Sequence, residues 1–299
     1  MRVFFENVDL KNTSGPNHFG LKLATQFYKD GLDVVDDERS ADVSLCFIQS
    51  SRQAVEKPVA LRLDGIYFNT RQDYEVMNYN IKRSYDMASG VVFQSNFNKR
   101  LINKYFGECE KSTIIRNGAD VDMIKGVSPL AAKSLDKYET VWCCASSWRP
   151  HKRLNENIRY FLEHSEEKDC LVVAGKVDDI PKIHERVFYV GNLPIKHLIS
   201  LYKRSRYMLH LAWLDHCPNV VVDARAAGCK IVCSSAGGTI EIAGKDAIVV
   251  HEDEWDMSPI DLYDPPKIKF DKIVKNNHDY DYDMGAVSKK YIKFLGGLL

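Results

Sequence analysis

The stretch from Tyr207 to Glu241 constrains the fold more than any other part of the chain. An apolar run, Tyr207-Met-Leu-His-Leu211, reads as a buried strand, and it gives way to a loop carrying Asp215, His216 and Cys217. Pro218 follows in the favoured first position of a helix, and Gly228 stands where a C-terminal cap belongs. A second apolar run, Lys230-Ile-Val-Cys233, leads into the small-residue loop Ser234-Ser-Ala-Gly-Gly238 and a further helix start. Strand, loop, helix, strand, glycine loop, helix is a unit of parallel sheet. It sets two loops side by side at the carboxyl ends of neighbouring strands, where open α/β sheets bind ligands. Both loops are expected to feed helix N-termini, whose free N–H groups suit a phosphate.

The same alternation runs through the rest of the chain. Arg2–Phe5, Asp42–Ile48, Pro58–Leu63, Gly90–Phe93, Thr113–Ile115, Thr140–Cys144, Cys170–Gly175 and Ala247–Val250 are short apolar runs separated by helical patterns. The class is therefore α/β. Gln94-Ser95-Asn96 caps a helix through Leu101, Ile102 and Tyr105, and Met284, Val287, Tyr291 and Phe294 make one apolar face of a last helix. The loop Asn12–Gly20 contains Gly15, where backbone can come close to a ligand, although a plain strand-to-helix turn needs glycine equally. It is not the GxGxxG dinucleotide fingerprint. Val127–Lys137, with Ser, Pro, Ala and Lys, reads as a linker.

Asp215, seven residues, Asp223, Ala227-Gly228, Gly237-Gly238 and Glu241 together resemble the donor-site signature of family 4 glycosyltransferases. Asn117-Gly-Ala-Asp120 is similar to the turn that ends the first domain in that family. The resemblance implies the GT-B fold: two Rossmann-like domains facing each other across a cleft. Residues 1–130 would form the acceptor-side domain and 138–275 the donor-side domain. Residues 276–299 would be a helix returning to the first domain. The family has Glu at both ends of the seven-residue gap, whereas this chain has Asp, shorter by one C–C bond or roughly 1.5 Å. Ser147 stands where the family has Arg, and Arg149 is displaced by two; Lys152 keeps its place.

The implied activity is retaining, metal-independent transfer of a hexosyl group from a UDP- or GDP-sugar to an acceptor hydroxyl. By that resemblance Asp223 holds the ribose hydroxyls. Asp215 and the backbone of His216, Cys217, Pro218 and Asn219 hold the sugar. Arg149, Lys152 and the N–H groups near Gly237 and Gly238 take the diphosphate, Glu241 is a further donor-binding residue, and Gly15 approaches from the opposite domain. A nucleoside-diphosphate leaving group gathers negative charge on its β-phosphate, which is why cations are required there. Cations at a helix start otherwise sit at the unfavourable end of its dipole. Asp64, with Arg62, is the candidate contact for sugar or acceptor, an Asp-Gly turn being the plain alternative; His18 could only assist. Two readings stay open beside transfer. One is an inactive nucleotide-sugar- or glycan-binding protein, the other an epimerase or hydrolase.

Composition excludes several classes. With 41 basic and 41 acidic residues the net charge is zero, so no nucleic-acid partner is expected. Eight scattered cysteines form no CxxC pair, which argues for a reducing compartment and against a zinc site. Asp120-Val-Asp122 and His251–Glu254 read as a domain-end turn and an acidic loop, not as metal ligands. No apolar run approaches the ~20 residues that span a bilayer. A cytoplasmic protein is expected, with Lys99, Arg100 and Lys104 offering either a solvated face or contact with a membrane surface.

Overall fold

The computed structural model describes residues 1–11, 15–53, 56–178, 180 and 183–299. Part of the expected Asn12–Gly20 loop, residues 12–14, therefore lies outside the described residues. In the first half, β1 (Arg2–Glu6), α1 (Gly15–Lys29), β2 (Asp33–Val35), β3 (Val43–Phe47), β4 (Val59–Leu63), α2 (Tyr74–Met87), β5 (Gly90–Phe93), α3 (Asn96–Phe106) and β6 (Ser112–Ile114) follow one another. They build a parallel sheet ordered β2-β1-β3-β4-β5-β6. Strands β3, β4 and β5 are buried along their whole length, as continuous apolar runs covered on both faces should be.

A short helix, α4 (Val121–Lys125), and the linker lead to the second half. There β7 (Thr140–Ala145), α5 (Leu154–His164), β8 (Asp169–Ala174), β9 (Val187–Gly191), α6 (Ile195–Arg204), β10 (Tyr207–His210), α7 (Asn219–Ala226), β11 (Lys230–Ser234), β12 (Ile248–Val250) and β13 (Ile273–Val274) form a second sheet, ordered β13-β12-β11-β10-β7-β8-β9. Only β13 runs antiparallel. The linker packs on this half: Leu130 N donates to Ser200 O at 2.9 Å and Leu135 joins its core.

The last helix, α8 (Met284–Gly296), is capped by Asp283, which accepts from Gly285 N at 2.8 Å. It crosses back to α1: Met284, Val287, Tyr291 and Leu295 are buried with Phe19, Leu23 and Phe27 in one core. Phe294, expected on that face, lies at its edge, and Leu295 takes the central place. The arrangement is the GT-B fold, two parallel α/β sheets with the final helix on the first. Two local expectations are corrected. Pro218 precedes α7 as its N-cap, not as its first helical residue. The segment after Gly238 is a single 3-10 turn, Thr239–Glu241, so the glycine loop feeds no α-helix N-terminus.

Candidate active site

β10 and β11 are adjacent and parallel, so the loops leaving them lie side by side. After His210 the chain turns back through Leu214, which holds φ +56, a left-handed conformation that costs a leucine energy. Packing sustains it: Trp213 and Leu214 are buried among Ile66, Phe68 and Phe97 of the first half. The turn brings Asp215 back over the strand end. One carboxylate oxygen, Oδ2, accepts from Lys152 Nζ at 2.5 Å and lies 2.9 Å from His210 Nε2; the other accepts the N–H of His216 at 3.0 Å. Burial pushes the Asp215 carboxyl up, but Lys152 and His210 overcome it and hold the group well below the usual carboxylate range.

Lys152 belongs to a 3-10 turn, Pro150–Lys152, that follows β7. The basic cluster around it divides three ways. Arg153, buried in the left-handed conformation (φ +53), grips Glu252 with two bonds of 2.7 and 2.8 Å and serves the fold. Lys152 is held on Asp215. Arg149 is exposed, and its side chain has no hydrogen bond or ion pair with any described residue. Glu252 being so engaged, the His251–Glu254 stretch is a structural loop.

The two loops are zipped together. Gly238 N donates to Asp215 O at 2.7 Å. Gly237 holds φ +99, and a Cβ there would stand 2.7 Å from Asp215 O; a Cβ on Gly238 would stand 2.0 Å from His216 O. Only glycine fits either place. The N–H of Gly238, expected to face a diphosphate, is therefore spent on holding the Asp215 loop.

The rest of the signature faces the first half at close range. Asp223 is 4% exposed; its Oδ1 accepts from Lys22 Nζ at 3.1 Å, and His18 Nε2 lies 3.8 Å from Oδ2. Burial raises the Asp223 carboxyl, yet Lys22 and His18 outweigh it and the net movement is downward. Glu241, 5% exposed, caps the N-terminus of α3. It accepts from Asn96 N and Phe97 N at 2.9 Å each, from Asn96 Nδ2 at 3.0 Å and from Arg116 at 2.7 Å. Glu241, expected among the donor-binding residues, is thus an interdomain clasp whose carboxylate is taken up by α3 and Arg116. Asn219 Nδ2 donates to Gly15 O at 2.9 Å, and Cys217 O accepts from Asn117 Nδ2 at 2.8 Å.

His216 packs on Phe97, with its Nδ1 3.1 Å from Asn98 Nδ2; a Cβ on Gly65 would stand 2.6 Å from its Nε2. Burial lowers its pKa to about 4, so the ring is neutral near pH 7 and Nδ1 accepts from Asn98. Beside Gly65, Asp64 keeps 24% of its side chain exposed. Its Oδ1 accepts from Arg62 and from Gln94 Nε2 at 2.5 Å. Desolvation lifts the Asp64 carboxyl against the pull of Arg62. Arg62 itself is fully buried, lies 4.2 Å from the centre of the Phe19 ring and donates to Asn117 Oδ1 at 2.8 Å. Arg100 and Lys104 of the basic helix are engaged by Glu254 and Asp256 O, at 2.8 and 2.6 Å. In the domain-end turn, Asp120 caps α4 and Asp122 pairs with Lys29.

Sequence reasoning missed Lys22, Arg116 and His210. Lys22 and Arg116 carry no local pattern that distinguishes them from surface cations, and His210 was read as one more strand residue. Several of the buried side-chain atoms that lack a hydrogen-bond partner lie on residues of this cleft: His18 Nε2, Arg116 Nε, His151 Nδ1, Asn219 Oδ1 and Thr239 Oγ1. Buried polar atoms are seldom left so. An open groove of about 640 Å³ along α2, between Tyr79, Arg83 and Phe106, shares no residue with the cleft. Among the described residues no helix is long and apolar enough to cross a membrane.

Residues 139–258, which contain Arg149, Lys152, Asp215, Asp223 and Glu241, match the family model for group 1 glycosyl transferases. No curated protein matches the chain. Among solved structures it is similar to Anabaena HepE in complex with UDP-glucose, at 13% identity and TM-score 0.69, covering 99% of this chain and 100% of that one. Sucrose-phosphate synthase from Thermosynechococcus elongatus is similar at 11% identity and TM-score 0.65, over 99% and 90% of the two chains. AviGT4, a glycosyltransferase involved in avilamycin A biosynthesis, is similar at 13% identity and TM-score 0.63, over 99% and 98%.

Proposed function

We propose that the chain transfers a hexosyl group, with retention, from a nucleoside-diphosphate sugar to an acceptor hydroxyl on a glycan, polysaccharide or lipid-linked sugar; the match of residues 139–258 to the group 1 glycosyl transferase model, within a GT-B fold, supports this reading. The observation that carries this reading is the 2.5 Å pair of Lys152 with Asp215, three residues after Arg149, whose side chain has no partner among the described residues. A carboxylate held ionised faces the sugar and stabilises positive charge at its anomeric carbon. Two cations beside it balance the charge that builds on the departing β-phosphate. With that charge balanced by side chains, turnover needs no divalent metal. The phosphate oxygen that leaves can itself take the acceptor's proton on the same face; Asp64, across the cleft with its raised pKa, orients the acceptor.

In this reading residues 138–275 bind the donor, 1–130 the acceptor, and 276–299 tie the two together. The ribose hydroxyls replace Lys22 on Asp223 in the donor complex. The HepE complex makes UDP-glucose the first donor to test. The experiment is transfer from UDP- and GDP-sugars in EDTA to mono- and oligosaccharide acceptors, with the anomeric configuration of the product read by NMR. Retained transfer by wild type, lost in Lys152→Ala, supports the reading. Acceptor-free hydrolysis or epimerisation would replace it. Engagement of Asp223 and Glu241 by the first domain favours one rival, an inactive binding protein, which would bind nucleotide without turnover.

A further inference from the structure

His210 closes β10 with 4% of its surface exposed, and no described feature of the strand requires a polar residue there. Its Nε2 is 2.9 Å from Asp215 Oδ2, the oxygen that also receives Lys152 Nζ at 2.5 Å. We propose that His210 is the positioning residue of the site: it holds Asp215 by an Nε2–H···Oδ2 bond and keeps the carboxylate aimed at the sugar when Lys152 is drawn to the diphosphate. This rests on the reading of the cleft as a donor site.

The chemistry fixes the direction of the bond. Asp215 is ionised, so it can only accept, and Nε2 must carry the proton. Burial disfavours the charged ring and lowers the pKa of His210, so it donates as a neutral imidazole and adds no charge that would repel Lys152. The division of labour follows. Lys152 has one charge and two anions to serve once donor binds, whereas His210 has one partner. Asp215 is also shorter than the glutamate of the resembled signature. A second donor on Oδ2, anchored in a strand, supplies the orientation that a longer side chain would otherwise find by reaching. The other titratable groups near Asp215 are His151, on the turn that bears Lys152, and His216 beside it; Arg149 acts on His151.

The test compares His210→Phe, which keeps the ring and removes the donor, with His210→Gln, whose amide N–H₂ reaches a similar point. His210→Phe should lower kcat about ten- to hundred-fold, the size of one charge-assisted hydrogen bond expressed in the transition state. The Kd for the nucleoside diphosphate should stay within about twofold, because the bond is not to nucleotide. His210→Gln should retain most of kcat. The carboxyl of Asp215, followed by ¹³C NMR without substrate, should titrate at higher pH in the Phe variant, and the acid limb of kcat should move with it. If the Phe variant does not fold, His210→Asn, polar but too short to reach, takes its place with the same expectations. Equal kcat in the Phe and Gln variants, or an unmoved Asp215 titration, would overturn the proposal. Failure of the wild type to bind any nucleotide would instead remove the donor-site reading, and the NMR titration would still decide the bond.

Discussion

Replacing Lys22 by Met tests whether the first domain holds the donor-side carboxylate. Lys22 and Asp223 have side chains 5% and 6% exposed and 3.1 Å apart. Removing the cation leaves a buried carboxylate whose one remaining side-chain partner among the described residues is His18, 3.8 Å away, and frees Gly118 O, to which Lys22 donates at 2.7 Å. Breaking one side of a buried pair costs about 3–5 kcal/mol, whereas replacing both sides by apolar groups of similar volume is often neutral. Lys22→Met and Asp223→Leu should therefore each destabilise the protein by about 3 kcal/mol or more. The double variant should lose far less than their sum, a coupling of about 2–3 kcal/mol. Urea unfolding at pH 7.5, followed by the fluorescence of Trp213 and Trp255 at the domain contact, measures all four chains. Nucleoside diphosphate should bind Lys22→Met more tightly than wild type, because ribose no longer competes with the ammonium, and should not bind Asp223→Leu. Single effects that add within about 0.5 kcal/mol, or an unchanged affinity in Lys22→Met, would refute the reasoning.

Glu241→Ala should destabilise by about 3 kcal/mol, since Asn96 N, Phe97 N and Arg116 lose a buried anion, while Glu241→Gln should cost roughly half as much; equilibrium unfolding measures both. Gly237→Ala, strained at φ +99 and meeting Asp215 O at 2.7 Å, should displace the Asp215 loop and lower kcat/KM by about tenfold or more, read in the transfer assay. Stability should fall as pH drops below the ordinary histidine value of about 6.5. His216 and His151, at about 4 and about 3, stay neutral in the fold there while the unfolded chain takes up protons. Each contributes a slope of about 1.4 kcal/mol per pH unit until its folded pKa is reached. The depressed carboxyls of Asp215 and Asp223 add stability that is present above their unfolded value of about 3.9 and lost only below it. Urea titrations between pH 7.5 and 4 read the slopes.

Most strands of both sheets were legible because a strand covered on both faces must be continuously apolar, and Val43–Phe47 or Tyr207–His210 carry that signal in a few residues, whereas the half-exposed edge strand β9 does not. β2 and β13, three and two residues long at sheet edges, are too short to carry it. The Asp215 loop and its glycines were legible because steric need ties Gly237 to its place. What Asp223, Glu241 and Lys22 touch was not legible: each finds its partner in the other half of the chain, and no local pattern encodes a contact 201 residues away. Glu241 follows the resembled signature in sequence, yet in the fold a helix N-terminus and Arg116 claim its carboxylate. His210 was overlooked because a histidine within an apolar strand reads as core until Asp215 turns back upon it.

The central claim is that Lys152 and Asp215 mark a diphosphate-sugar site. Its most direct test is calorimetric titration of UDP, GDP, ADP and TDP in EDTA into wild type, Lys152→Ala and Arg149→Ala. The account expects one base to bind the wild type without metal, with affinity falling about tenfold or more in each variant, the size of one lost charge-assisted contact to phosphate. Binding of no nucleotide by the wild type, or equal binding by all three chains, would contradict it.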